Sequence, residues 1–519
     1  MTATKLFSPG AKARIGGWLL AASVLALASA ANAADREKTI IIAQSGQINT
    51  LDPLRADYAQ TNFSVNALYD TLITYDYDKK IVGRLASEFK VADDVKSVEI
   101  TLRPDVKFHD GTVLTAKDVA YTLDRMKKLG VGAASLIEGY ASTTIKDDTH
   151  LVINLDRPSS VFLGALSKVF ILNSALVSTN AGDNDGQAWL QANDAGSGPF
   201  KLVSQPGQDL TVERVADYWD FDAKRPEAIV FRRVDESATK RDEIRAGNVD
   251  VAIGITDRDA AGMASDPGIQ IVGLDSPLQA EVIFNTRTGP TADPKVRKAL
   301  RMVYDYEGGL RSIRMGNGTI ANGPLPTTMN CRPDLPPVKQ DLEAAKKMLE
   351  EAGAANLKLS LNFQPAFEWQ KTEATLLQSN MREAGVEVEL VPIAFPNYLA
   401  SLKDPNSIPQ MMLLEDFAQF PDPGVVLEKG YKSDAIGTNR SGYANPEVDK
   451  LIDEALASGD EQKRCEIYAK VQKMIDDDSV MIDMYTLLRP GVFRTGTVDG
   501  LKGSPVVWPI APADLRMAN

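Results

Sequence analysis

A chain of 519 residues is too long for one ordinary hydrophobic core, so two or three domains are expected. Seventy acidic against 57 basic side chains leave a net charge of −13, which excludes gripping a nucleic-acid backbone through the overall field. With two histidines, His109 and His150, a histidine-built zinc or nickel site is poorly supported, and no cofactor is implied.

The chain opens with a basic start (Lys5, Lys12, Arg14), followed by an uncharged apolar stretch from Gly16 to Ala31. Ala31-Asn32-Ala33 supplies the small-x-small pattern of a signal peptidase site, so residues 1–33 read as a secretory leader cleaved before Ala34. No cysteine lies near that point to carry a lipid. No later segment approaches the ~20 apolar residues of a membrane span, so a soluble protein beyond the inner membrane is expected. Leader removal deletes three positive charges and takes the net charge from −13 to −16.

Thr39 to Ala43 is a buried-type strand, and Ser97 to Leu102 alternates with Val98, Ile100 and Leu102 on one face. A helix follows from about Ala116 to Lys128, capped by Thr115 with Asp118 three residues on; Val119, Leu123 and Met126 form its apolar stripe. Strands are predicted at His150 to Leu155, Ala228 to Val234 and Val249 to Ile253. The second half alternates strand and helix. Glu281 to Asn285 is a strand, and Asp293-Pro294 opens a helix. Leu342 to Ala352 is a helix closed by Gly353, and Leu357 to Phe363 is a strand. A helix from about Lys371 to Ala384 stops at Gly385, with strand Val386 to Val391 after it. Asn445-Pro446 starts a helix burying Val448, Leu451, Ile452 and Ala455, and a last helix carries Ile467, Val471 and Ile475 on one face. This order implies mixed α/β lobes. Cys331 and Cys465 are an even pair in an oxidising compartment, but sequence leaves open whether they meet.

Thr101 to Arg125 reads TLRPDVKFHDGTVLTAKDVAYTLDR. It resembles a signature segment of the bacterial extracellular solute-binding proteins of family 5, the large periplasmic binders of dipeptides, oligopeptides and nickel. Physically, Gly111 permits a tight turn and Asp110 can bond back to its own backbone, with no demand for catalysis. His109 is expected to bond within that turn. Gly196-Ser197-Gly198-Pro199-Phe200, Asp217-Tyr218-Trp219, Arg245 to Asp250, Phe284-Asn285-Thr286, Phe420 to Pro423 and Ser441 to Asp449 follow in the family's order. The resemblance implies an α/β, two-lobed periplasmic binding protein fold (type II, large three-domain subclass) with a hinge. Lobe one would hold a split domain (about 34–76, 197–275 and 492–519) and an inserted domain (about 77–196); lobe two would be about 276–491. It further implies a monomeric, non-enzymatic periplasmic component of an ABC importer, with membrane permease subunits as partners.

Peptide-holding members pair the ligand's amino terminus with an aspartate four residues before the proline of an Asp-Pro pair. Here that pair is Asp422-Pro423, and the matching position is Gln419, which can hydrogen-bond an ammonium but not neutralise it. Asp416 or Glu415 is the candidate replacement carboxylate. By the same resemblance Lys371 matches a carboxylate-holding position, Trp369 offers a stacking surface, and Gln47, Tyr58 and Gln279 face the cleft. The expected ligand is a peptide or peptide-like solute. The alternatives are an oligosaccharide, an opine-like conjugate or a metal chelate in the same fold. The rival of another class is a secreted hydrolase; Ser197 lacks the G-x-S-x-G order and has no histidine near it in sequence.

Overall fold

The computed structural model of the protein describes residues 36–55, 59–204, 209–507 and 509–519. The predicted leader and Tyr58 lie outside the described residues.

In chain order the strands are β1 (Thr39–Gln44), β2 (Ile73–Tyr75), β3 (Ile81–Gly83), β4 (Ala86–Val91), β5 (Ser97–Leu102), β6 (Tyr140–Ile145), β7 (His150–Leu155), β8 (Phe200–Leu202) and β9 (Asp209–Arg214). Then come β10 (Ala228–Arg233), β11 (Val251–Ala252), β12 (Ile269–Phe284), β13 (Gly318–Ile320), β14 (Lys358–Phe363), β15 (Glu387–Pro392), β16 (Met411–Phe417) and β17 (Met481–Arg494). Strands β4, β5, β7 and β6 make one antiparallel sheet, and β2 with β3 a small hairpin. The remaining strands form a continuous sheet in the order β15-β14-β16-β12-β17-β11-β1-β10-β9-β8, with β13 added onto β17.

That continuity comes from two long strands. The first part of β12, Ile269 to Asp275, pairs with the end of β17 close to β11 and β1; its second part, Gln279 to Ile283, pairs with the start of β17 on one side and with β16 on the other. The register shifts between Asp275 and Gln279, so the pair bends where it passes from one lobe to the other. Each lobe packs its own apolar core, one around Ile40, Phe63, Phe200 and Phe231, the other around Val282, Leu300, Leu361 and Ile482. Among the described residues no helix is long and apolar enough to cross a membrane.

The local signals have identifiable causes. Helix Ala116–Leu129 has a complete capping box: Thr115 accepts from Lys117 N, and Asp118 accepts from Thr115 N at 2.8 Å. Gly130, at φ 60°, ends it. In the HDG turn Gly111 sits at φ 86° and Asp110 accepts from Thr112 N at 2.9 Å. His109 bonds out of its turn instead: Nδ1 donates to Asp194 at 2.7 Å and Nε2 to the Gly198 carbonyl at 3.0 Å. Gly196 and Gly198 lie against the backbone of Leu68 and Tyr69, where a Cβ would meet Leu68 O at 1.9 Å and Leu68 C at 2.5 Å respectively. These two glycines let segment 194–198 cross the chain; they do not build a nucleophile.

Helix Ala116–Leu129 is also tied to the start of the chain. Arg125, buried, holds the buried Asp52 carboxylate through both of its terminal nitrogens (3.0 and 2.5 Å) and gives Nε to Asp185 O at 2.8 Å. The helix then delivers the turn Gly132–Ile137. In the second lobe Cys331 and Cys465 are joined in a disulfide with their Cα atoms 4.6 Å apart, closing a loop of 134 residues.

Candidate functional site

A cavity of about 500 Å³ lies between the two halves of the molecule. The first half contributes Asn62 and the turn around Gly132 to Leu136; the second contributes β12, β16, the helix Pro423–Tyr431 and the segment 437–441. The lobes touch around it. Lys429 pairs with Glu138 at 2.5 Å, Ser160 N donates to Leu456 O at 2.8 Å, and Tyr75 stacks on Phe420 with centroids 6.2 Å apart.

Strand alternation decides which predicted residues reach this space. Gln279 and Glu281 are two apart on β12 and share a face, and Asp416 on β16 stands opposite Gln279. All three line the cavity, as does Gln419 just beyond β16. Glu415, next to Asp416, points the other way and is held by Arg314 (3.0 Å) and Arg489. Of the two candidate carboxylates, therefore, only Asp416 faces the cavity.

The other predicted residues lie elsewhere. Gln47 is exposed in the loop after β1 and does not line the cavity; Asn62 is what this part of the chain contributes. Lys371 is exposed on helix Glu368–Glu383, also outside the cavity. Trp369 lies at the start of that helix with the Arg314 guanidinium 4.1 Å over its ring. Arg314 is fully buried and bonds Glu373 as well as Glu415, so Trp369 covers an ion-pair cluster behind the sheet.

Sequence reasoning missed the residues that complete the polar wall. Arg440, from segment 437–441, pairs with Asp416 at 3.1 Å. Glu281 is 5 % exposed, and among the described residues no ion pair reaches it. Burial, and then the neighbouring charge of Asp416, pushes its carboxyl up to about 8. The signal was present: Glu281 is an acid inside an otherwise apolar strand, AEVIF. Arg440 gave no such signal, because its role depends on a loop folding back over β16.

No hydrolytic constellation forms where the sequence left one open. Segment 194–198 brings Ser197 near His109 and Asp194, but both imidazole nitrogens face pure acceptors. Donation from both nitrogens requires the imidazolium form, and the surroundings favour it. Burial opposes that charge, yet the hydrogen bond and charge of Asp194 outweigh it and the net shift is upward. An imidazolium cannot take a proton from Ser197, whose hydroxyl is buried and without a partner.

Two lobes joined by paired long strands, with a polar cavity between them, define a two-lobed periplasmic binding protein fold of type II. The chain belongs to the bacterial extracellular solute-binding proteins, family 5: residues 80–438 match the family described as "Bacterial extracellular solute-binding proteins, family 5 Middle". It is 28 % identical over 474 residues to the probable D,D-dipeptide-binding periplasmic protein DdpA of Escherichia coli K12, covering 88 % of this chain and 90 % of that one. It is 26 % identical over 479 residues to the glutathione-binding protein GsiB of Salmonella typhimurium, covering 90 % and 92 %. The ABC transporter-associated periplasmic binding protein DppA of Helicobacter pylori, solved in complex with the peptide STSA, shares the fold with a TM-score of 0.82, 21 % identity, and coverage of 93 % and 98 %.

Proposed function

We propose that this chain captures a peptide or peptide-like solute between its lobes and passes it, chemically unaltered, to the permease subunits of an ABC importer in the inner membrane. It works as a soluble periplasmic monomer. The observation that carries this reading is the composition of the cavity wall, which draws on both lobes. A solute touching both favours the closed arrangement over the open one, as a capture-and-deliver cycle requires. Moving the balance from about 1:99 to about 99:1 takes ~5.5 kcal/mol of preference, which contacts to a single lobe do not provide. A cavity of about 500 Å³ falls within the range of small-molecule sites. The relatives named for D,D-dipeptide and glutathione binding support a peptide-like solute. Gln279, Asp416 and Gln419 are the predicted residues assigned to the solute.

Native mass spectrometry of the purified protein with a mixture of di- and tripeptides tests this, followed by solution scattering with whichever peptide is retained. The expected result is one intact peptide per chain and a smaller radius of gyration. A cleaved peptide, or an unchanged radius, refutes the reading.

A further inference from the structure

The floor of the cavity holds buried polar groups whose hydrogen bonding is incomplete. Gln279 is 2 % exposed; its amide nitrogen donates to Gly323 O at 3.2 Å and to Glu281 Oε2 at 3.4 Å, while its Oε1 has no partner. The hydroxyl of Tyr398, buried close to Glu281, Asp416 and Arg440, has none either. Glu281 is a buried acid whose hydrogen-bond partner is that one amide.

The charges facing Glu281 do not neutralise it. From β16 comes Asp416, from segment 437–441 Arg440, and from β17 Asp483. Arg440 is committed to Asp416, and Asp483 is bound to Arg301 at 2.7 Å. The phenols of Tyr398 and Tyr431 on the flanking helices are held well above the ordinary tyrosine range, chiefly by burial, and stay neutral. At the rim Lys429 is occupied by Glu138. The set therefore holds one acid that no cation pairs, whose ionisation burial disfavours, and one unpartnered amide oxygen, both in the cavity wall. Each is costly when buried. Water can satisfy the oxygens, but it brings no charge.

A single incoming group removes both deficits if it is cationic and has several N–H bonds to give. A primary ammonium has three donors, and Glu281, Asp416 and Gln279 each carry an acceptor oxygen in the same wall, that of Asp416 already beside Arg440. We infer that Glu281, flanked by Asp416 and Gln279, receives a protonated primary amine of the captured solute, so that the charge absent from position 419 is supplied from β12. This rests on the capture reading above and specifies the group that enters first. Burial raises the Glu281 carboxyl, so ionising it to meet the ammonium releases a proton.

The test uses the whole mature protein and two probes. One is a mixture of synthetic di- and tripeptides lacking Lys, Arg and His, with free amino termini; the other is the same mixture N-acetylated. Captured species are identified by native mass spectrometry. The expected result is capture from the free-amine mixture and at least about tenfold less from the acetylated one. Glu281→Gln, which keeps size and shape, is expected to lose free-amine capture by a similar factor. Asp416→Asn serves as a second variant should the first fold poorly, with thermal melts reporting the fold of both. Equal capture of the acetylated peptides overturns the assignment of the amine and leaves peptide capture standing. Undiminished free-amine capture by a folded variant of either kind overturns the assignment to this wall. Failure to capture any peptide from either mixture overturns the capture reading and this inference together.

Discussion

Replacing Arg125 by methionine removes the cation from a carboxylate that has no access to water. Asp52 is 0 % exposed; its remaining hydrogen bond is from Leu54 N to Oδ1 at 3.1 Å, and both of its oxygens otherwise face the guanidinium. Breaking a buried pair by removing one partner costs roughly 3–5 kcal/mol, because the surviving charge stays desolvated. If the unfolding unit holds about 250 residues, each kcal/mol lowers the melting temperature by about 2 °C, so Arg125→Met should melt roughly 6–10 °C below the parent. Asp52→Asn keeps the oxygen that accepts from Leu54 and drops the charge. The double variant Arg125→Met/Asp52→Asn should therefore be more stable than Arg125→Met alone, by about 2 kcal/mol. Calorimetry and urea titration of the four proteins give the coupling directly. An unchanged melt in Arg125→Met, or strictly additive losses in the double variant, would show that the pair is not desolvated as described. The consequence reaches the site, since helix Ala116–Leu129 delivers the Gly132 to Leu136 wall of the cavity.

Three further outcomes follow from the same geometry. Capture of a free-amine peptide should strengthen as pH rises toward about 8, where Glu281 gives up its proton, and weaken again above the ~8 at which the peptide's own amine deprotonates. Calorimetric titration in buffers of different ionisation enthalpy checks this; a flat profile with no proton released contradicts it. Cys331→Ala/Cys465→Ala opens a loop of 134 residues and should cost about 2–5 kcal/mol, read as a lower denaturation midpoint. An equal midpoint with and without the bridge would exclude that contribution. Because the folded protein raises His109, its contribution to stability is complete below the ordinary value of about 6.5 and fades as pH climbs through the raised value. Urea midpoints at about pH 5.5 and about pH 9 should show this slope in the parent and not in His109→Gln.

The helices were legible because their signals are local. Thr115 with Asp118, Asp293-Pro294, Asn445-Pro446 and Gly385 each mark a boundary within a few residues of the groups they satisfy, and the structure places helix ends beside all of them. The same holds for the HDG turn, where Asp110 bonds to a residue two positions away. Strands whose faces alternate or run apolar were found for the same reason, to within a residue or two.

What tertiary structure decided is everything held by distant partners. The predicted strand Glu281 to Asn285 is the far end of a strand that begins at Ile269, and its length is fixed by β17 about 200 residues later. Strand β17 escaped sequence reasoning. Its Pro490-Gly491 is a turn signal, yet here these residues lie opposite Gly273 and Val272 within the ladder. Sequence could name Gln419 as the place where a charge is absent, and could offer Asp416 as the candidate replacement with Glu415 beside it as the alternative. Only the side of β16 that each one faces separates them, one in the cavity and the other against Arg314. A strand's period tells which residues share a face; which face meets solute depends on what the rest of the chain lays against it.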